Sequence, residues 1–146
     1  MVIPPHGTSL PEQWMLGVSP NSASMAAKHQ CNFCVSFMHP GSDYNRNMDI
    51  LKNFRESYYQ QHGTLPVTAV LTPCVVSEDD ERIRRYGDQY YNCKDANIFG
   101  CKNYVHDKLM EMAEKMDADE IILFNPEWNR EIRLESYQQI GEYEVV

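Results

Sequence analysis

Apolar stretches and helix-forming segments alternate along almost the whole sequence, and this alternation constrains the fold more than any other feature. Each apolar stretch is short and is followed by a segment in which apolar residues recur at helical spacing. The four stretches lie at about 13–18, 31–37, 67–76 and 121–124. A strand, a helix and a second strand in succession form a right-handed unit with parallel strands. The sequence therefore predicts an α/β fold with a parallel sheet.

Capping and turn residues delimit the predicted helices. Asp43 is predicted to cap a helix that extends to about residue 61, and Gly63 to end it. Ser77 is predicted to cap another helix, with the acidic residues 78–81 in its first turn, where the helix dipole favours negative charge. The remaining helices are predicted at about 20–29, 102–116 and 125–142, so that one extra helix precedes the fourth strand.

Two further features concern the third strand and the segment that follows its helix. Pro73 lies inside the third apolar stretch and predicts a bulge or an early end to strand pairing, because proline has no N–H group to donate. Residues 92–99 lack helical spacing and are predicted to form a loop.

Composition indicates one soluble globular domain. The chain has 146 residues, of which 42% are hydrophobic and 23% charged, and residues 1–12 form a proline-rich lead-in to a single domain at 13–146. The net charge is -8 without any cluster of lysine and arginine, which argues against a nucleic-acid partner.

No apolar run approaches the roughly 18 to 20 residues of a membrane span, and the amino terminus lacks the pattern of a signal peptide. The predicted compartment is the cytoplasm, with no membrane partner.

The five cysteines are odd in number and irregularly spaced, which excludes a complete disulfide framework. Cys31 and Cys34 form a CxxC pattern, but a zinc site needs a second ligand pair at comparable spacing, and none occurs. We interpret the cysteines as buried, inert thiols, with metal or redox chemistry as the alternative, and predict no metal site. They are Cys31, Cys34, Cys74, Cys93 and Cys101.

The segment 13–28 is the one candidate anion site in the pattern. It reads as a strand that breaks at Gly17, turns through Ser19 and Pro20, and becomes an alanine-rich helix. The first N–H groups of such a helix are predicted to be unpaired and to lie beside two serine hydroxyls, which suits a phosphate. The alternative is an ordinary well-capped helix, since these residue types are common at helix starts. No Walker loop, GxGxxG, GxSxG or HExxH motif occurs.

Five ordered segments of the chain resemble the bacterial luciferase-like flavin monooxygenases. The first reads WMLGVSPNSA at 14–23 with alanines at 26 and 27, and it is similar to that family's W-x-L-G-x-S-P-x-S-A segment. The others are the apolar stretch 33–40, NIFG at 97–100 followed by Val105, MDADEII at 116–122, and RLESY at 133–137 followed by Ile140.

The resemblance implies half of a TIM-type (β/α)8 barrel. It covers only the carboxyl-terminal half of the family's pattern, whereas the complete fold has about 250 residues. The chain is therefore expected to contain four parallel strand-helix units plus the extra helix, and to be a truncated or split member. The family uses reduced FMN and oxygen to oxidise a small organic substrate.

The resemblance also implies where FMN would bind. Ser19 and Ser22, with backbone N–H groups of residues 18–23, fall where relatives hold the FMN phosphate, and the basic residue that completes the site is expected from the absent half. Beside the phosphate, many relatives have a small or polar residue, whereas this chain has Val18 at that position. The implied cofactor-binding residues are Val18, Ser19, Asn21, Ser22 and Ala23.

No catalytic residue is implied by the resemblance. His29, His39, His62 and His106 match no family motif and are interpreted as surface or strand-end residues. The chain is expected either to be active only with a partner chain that supplies the missing half-barrel, or to be a non-catalytic flavin-binding or interaction remnant.

Half a barrel has one sheet face that no helix covers. Apolar side chains on that face cost roughly 1.5 to 3 kcal/mol each when left in water, and unpaired sheet edges invite pairing with another chain. The sequence therefore predicts self-association, most simply as a dimer.

Overall fold

Five parallel strands alternate with five helices in the computed structural model, which describes residues 11–91 and 98–142. In chain order the elements are β1 (Trp14–Gly17), α1 (Pro20–Lys28), β2 (Asn32–Ser36), α2 (Tyr44–His62), β3 (Thr68–Val76), α3 (Asp80–Gln89), β4 (Ile98–Gly100), α4 (Lys102–Met116), β5 (Glu120–Phe124) and α5 (Arg130–Gly141). Within the described ranges, no helix combines the length and the apolar character needed to cross a bilayer.

The strand β3 is the centre of the sheet. Its residues 69–71 pair with β2 on one side and with β5 on the other, and β1 pairs with the outer edge of β2. All of these pairs are parallel, so the order β1-β2-β3-β5 is that of consecutive strands in a TIM-type barrel. The predicted fold class, a partial barrel of this type, is confirmed.

One face of the sheet is covered by helices and holds the main core. Phe33, Val35 and Val70 point to this face and are fully buried against side chains of α1, α2 and α4. The helix residues in the same cluster include Ala26, Ala27, Leu51, Phe54, Val105 and Met112. Three alanines on α1 are buried, and their small side chains let this helix lie close to its neighbours.

Among the described residues, the opposite face of the sheet, which we call the open face, meets a helix at the carboxyl end of β3, where Val75 packs against Tyr86 of α3, and is open to solvent along its edge strands. The pairing register places Leu16 beside Cys34, Leu71 beside Ile122, and Pro73 beside Phe124 on this face. Four of its apolar residues remain exposed: Trp14, Leu16, Ile122 and Phe124. This is the uncovered surface expected of half a barrel.

A second, smaller cluster lies beyond the main core. The end of β3 pairs with β4 through Cys74, Val75 and Val76, and Val75 packs with Tyr86 and Phe99. The rings of Tyr86 and Phe99 are 5.5 Å apart between centroids. The sequence predicts a loop over residues 92–99. At residues 98 and 99 this prediction is wrong, because β4 is stabilised by pairing with β3, which precedes it by more than twenty residues. Residues 92–97 lie outside the described residues.

Two helices begin later than predicted. Asp79 rather than Ser77 caps α3, since its carboxylate accepts hydrogen bonds from the N–H groups of Glu81 and Arg82 at 3.0 and 3.1 Å. The last helix begins at Arg130 rather than at residue 125, and Asn129 caps it. In both places several polar residues follow one another, and each of them is able to cap a helix.

Other predicted boundaries are confirmed. Asp43 caps α2 by accepting a hydrogen bond from the N–H of Arg46 at 2.8 Å, and Gly63 ends it in the left-handed conformation with φ of 69°. Pro73 does not interrupt β3, but it is the last β3 residue that pairs with β5.

The segment RLESY holds α5 against the sheet. The hydroxyl of Ser136 is fully buried and accepts a hydrogen bond from the N–H of Val76 at 2.9 Å. Arg133 donates to the carbonyl oxygen of Glu127 at 3.0 Å. These residues of the family-like pattern thus have a structural role in this chain.

At the amino-terminal end of the sheet, Asp119 joins β3 to β5. Its carboxylate accepts hydrogen bonds from both the N–H and the hydroxyl of Thr68 at 2.7 Å, and Arg55 donates to the same hydroxyl at 2.8 Å. Burial raises the pKa of Asp119, but the hydrogen bonds from Thr68 and the charge of Arg55 outweigh this effect, and the pKa is lowered overall.

The stability of the fold is predicted to fall in acid partly because of Asp119. A carboxyl with a lowered pKa in the folded state stabilises that state above its ordinary pKa of 3.8, and this contribution is lost as the pH falls through the lowered value. Urea unfolding at pH 7 and pH 3 should show a smaller acid-induced loss of unfolding free energy in Asp119→Asn than in wild type. The control Asp49→Asn, at an exposed position on α2, should behave as wild type; equal losses in all three proteins would contradict this role.

Candidate functional site

The candidate site lies where β1 passes into α1. Only Val18 and Ser19 separate the two elements. Because the strands are parallel, this junction shares one edge of the sheet with the residues that follow β2, β3 and β5. The carboxyl ends of the strands form the active-site face of TIM-type barrels. The fold therefore places the sequence-predicted site at the edge where function resides in such folds.

Ser19 and Ser22 form a reciprocal capping box. The Ser19 hydroxyl accepts a hydrogen bond from the N–H of Ser22, and the Ser22 hydroxyl accepts one from the N–H of Ser19, both at 3.2 Å. The Ser22 hydroxyl also donates to the Ser19 carbonyl oxygen at 2.8 Å, and the two hydroxyl oxygens are 3.1 Å apart. The two serines are thus held against each other at the start of α1.

The prediction that the first N–H groups of this helix are unpaired is largely wrong. The N–H of Ser22 is taken by the capping box, and that of Ala23 donates to the Ser19 carbonyl oxygen at 3.2 Å. Pro20 has no N–H group, which leaves Asn21 as the first-turn residue with no hydrogen bond on its N–H within the described part of the chain. An anion at this point would use the Asn21 N–H and the two hydroxyl groups.

Gly17 allows Ser22 to lie against the end of β1. A Cβ atom at position 17 would come within 2.2 Å of the Ser22 Oγ and within 2.9 Å of the Phe33 ring. These distances are far below ordinary contact, and the Phe33 ring is fixed in the core. Glycine is therefore required here for close approach of the capping serine to the strand.

Arg46 brings a positive charge to the junction. From the first turn of α2, its guanidinium donates to the Val18 carbonyl oxygen at 2.9 Å and to that of Gly41 at 3.4 Å. The resemblance implied such a residue only in the half of the barrel outside this sequence, and it gave no indication of Arg46. Its position after the helix cap Asp43 gave no signal, because only the folded sheet brings it beside residue 18.

A buried carboxylate, Glu127, lies after β5 at the same edge of the sheet. It is 6% exposed and accepts hydrogen bonds from the hydroxyl of Tyr86 at 2.6 Å and the N–H of Asn129 at 2.9 Å. Arg82 and Arg85 lie 3.6 and 3.8 Å from it. Burial raises the pKa of Glu127, but these donors and charges outweigh it and lower the pKa overall, while burial raises the pKa of Tyr86. These contacts of Glu127 join the turn after β5 to α3.

The cysteines within the described residues are not brought together as a site. Burial, with the nearby Glu120 carboxylate, raises the pKa of Cys34 to about 11, and burial raises that of Cys74 to about 12. Such thiols are poor nucleophiles and poor metal ligands at neutral pH. The predicted burial of these two is confirmed, and their inertness stays a prediction. Cys31 is also buried, Cys101 is half-buried, and Cys93 lies outside the described residues.

The histidines occupy different parts of the surface. His29 and His39 are exposed, and His106 is half-buried beside Asp107. His62 departs from the surface interpretation, because its Nε2 is 2.7 Å from the Ala27 carbonyl oxygen and its ring packs on Tyr58. It joins the end of α2 to α1 and lies far along the helix from the candidate site.

Several solved structures share the fold of this chain, and monooxygenases are among them. Apo-MsnO8 matches with a TM-score of 0.72 and 18% identity, over 97% of this chain and 53% of that one. The monooxygenase RslO1 from Streptomyces bottropensis matches at 0.66 and 14%, over 92% and 47%. The oxygenating constituent of 3,6-diketocamphane monooxygenase from the CAM plasmid of Pseudomonas putida, solved with FMN, matches at 0.64 and 17%, over 94% and 49%.

These likenesses concern the fold, and the chain spans about half the length of the structures named. No protein-family model matches the sequence, and a search of curated proteins finds no significant match. The partial barrel implied by the resemblance is thus shared with the solved monooxygenases, one of which holds FMN.

The junction is predicted to tolerate no side chain at position 17. Gly17→Ala forces the new methyl group against Ser22 and Phe33, and we expect a loss of about 1 to 3 kcal/mol in the free energy of unfolding. Gly87→Ala is the matched control, since a Cβ there meets nothing within 4 Å and alanine favours the helix by up to about 1 kcal/mol. Urea unfolding of both variants checks this, and a neutral Gly17→Ala would show that the close approach is not required.

Proposed function

We propose that this chain binds FMN through its phosphate at the β1–α1 junction, as the phosphate-binding half of a flavin-dependent monooxygenase of the luciferase-like kind. The observation that carries the proposal is the convergence of Ser19, Ser22 and Arg46 at the carboxyl edge of a parallel sheet. The support from the comparisons is the fold shared with monooxygenases, one of them solved with FMN.

The residues at the junction suit a phosphate dianion. The start of α1 carries the positive end of the helix dipole, and the Asn21 N–H and both serine hydroxyls are available as donors once the serine pair opens. The guanidinium of Arg46 has five N–H donors, and only some of them bind the carbonyl oxygens of Val18 and Gly41. The others are left to bind an anion.

The five residues implied by the resemblance contribute in different ways. Ser19, Asn21 and Ser22 would contact the phosphate directly. The Val18 carbonyl oxygen orients Arg46, and buried Ala23 lets α1 lie against the sheet. When bound, reduced FMN supplies the electrons for oxidation of a small organic substrate by oxygen; this chain's own part is to hold and orient the phosphate end.

A second candidate function is flavin binding without catalysis. The observation that favours it is the state of the buried carboxylate at the same sheet edge, which neighbouring groups already engage. Glu127, the buried carboxylate at the same edge, is held by Tyr86 and Asn129 in a structural role.

FMN affinity is predicted to depend on Arg46. A hydrogen bond to a charged group contributes about 1.5 to 3 kcal/mol, so Arg46→Met should weaken FMN binding by roughly 10-fold to 100-fold. Riboflavin, which lacks the phosphate, should bind weakly and equally to both proteins. Flavin fluorescence titrations measure all of these affinities. Arg84→Met, at an exposed position on α3, is the matched control and should bind FMN as wild type does; absence of FMN binding to wild type would overturn the proposal.

The two candidate functions are separated by oxygen consumption. With reduced FMN present, a catalytic chain should accelerate oxygen uptake in the presence of an oxidisable organic substrate, and this acceleration should be lost in Arg46→Met. Binding of FMN with oxygen uptake no faster than that of free reduced flavin would favour the non-catalytic function. An oxygen electrode provides the measurement, with wild type and Arg84→Met compared at equal bound flavin.

A further inference from the structure

We propose that two copies of this chain close one eight-stranded barrel, with the outer edge of β1 in each copy pairing in parallel with the outer edge of β5 in the other. Within the described residues, neither edge has a pairing strand in a sheet whose order is β1-β2-β3-β5, and the two strands are similar in length, with four residues in β1 and five in β5. A two-fold axis along the barrel then joins both edges at once and leaves no edge open.

The two complementary edges favour a second copy as the occupant. The described residues supply four consecutive barrel strands, a parallel barrel of this type closes with eight, and a second copy presents both edges in the matching direction. Each copy presents the same open face, so the two open faces together form the interior of the barrel. The register places Leu16, Leu71 and Ile122 on that face, where a barrel interior holds apolar side chains, and it places the Glu120 carboxylate at the amino-terminal end of the same face.

The exposed apolar surface is large enough for a specific dimer. Eight apolar residues on the edge strands, the end helices and the turn after β5 are between 38% and 94% exposed: Trp14, Leu16, Met25, Ile122, Phe124, Trp128, Leu134 and Tyr137. Taking about 200 Å² for a fully exposed large side chain, they present on the order of 800 Å². A specific dimer buries about 800 Å² on each partner, so this surface supplies most of what is needed.

Closure would also complete the candidate phosphate site, and this part rests on the proposed function. The carboxyl end of β5 in one copy would lie beside the carboxyl end of β1 in the other, because the joined edges are parallel. Trp128 is 94% exposed and follows β5 by four residues. Trp128 of the partner subunit would therefore stand next to Ser19 and Ser22 as an aromatic wall for the flavin ring.

Sedimentation equilibrium tests the dimer. Wild type should have twice the chain mass of 17.0 kDa. Leu16→Glu should be monomeric, because the substitution replaces an apolar side chain of the barrel interior by a carboxylate and adds to the negative charge of Glu120 on the same face. Met110→Glu is the matched control, since Met110 is 57% exposed against 59% for Leu16 but lies on α4, and it should remain dimeric. Circular dichroism should show all three proteins folded. A monomeric wild type, larger assemblies, or a dimeric Leu16→Glu would overturn the proposal.

Hydrogen exchange distinguishes edge pairing from mere stacking of two open faces. Backbone amides of β1 and β5 should be protected in wild type and in Met110→Glu, and should exchange faster in Leu16→Glu. A dimer with unprotected β1 and β5 would overturn the barrel arrangement.

Trp128→Ala tests the composite site separately. It should stay dimeric and bind FMN at least 5-fold more weakly than wild type, with quenching of flavin fluorescence reduced. Equal FMN affinity of Trp128→Ala and wild type would overturn the role of Trp128 in the flavin site, but not the barrel dimer. A wild-type dimer that does not bind FMN at all would overturn the proposed function, but not the barrel dimer.

Discussion

The hydrogen bonding of β3 on both of its sides is the constraint on which the rest of the structure depends. Residues 69–71 pair with β2 and β5 together, so their backbone groups are satisfied without water, and the strand can be buried. Its sequence TAVLTPCVV supplies small and branched side chains that fit between helices and sheet. Because every neighbour runs parallel to β3, the residues that follow each strand meet at one edge. The candidate site is a consequence of that common direction.

The strand β5 remains in place although no strand of the described part of the chain pairs with its outer edge. Asp119 precedes it and is bound to Thr68, and Glu127 follows it and is bound to Tyr86 and Asn129. Each carboxylate keeps its charge because several donors surround it, which offsets the cost of partial burial. An edge strand held at both ends keeps its position even though its exposed apolar side chains have no partner.

The parts of the fold that were predictable from sequence are those fixed by local chemistry. Ser19, Asp43 and Gly63 each act on residues within four positions, and the sequence is enough to identify them. The caps Asp79 and Asn129 were missed because neighbouring polar residues compete, and contacts with other elements decide between them. The strand β4 has three residues and depends wholly on β3. Arg46 was beyond sequence reasoning for a similar reason, since 28 positions separate it from Val18.

The division of buried residues into two clusters implies two cooperative units of unequal size. The main cluster contains eighteen buried residues, whereas the cluster of Val75, Tyr86 and Phe99 contains three. Both meet on β3, and β4 joins them, since Ile98 belongs to the main cluster and Phe99 to the small one. The helix α3 contributes Tyr86 to the small cluster and nothing to the main one. Local opening of α3 therefore costs less free energy than global unfolding, and it leaves the contacts of Ser19 and Arg46 at the junction in place.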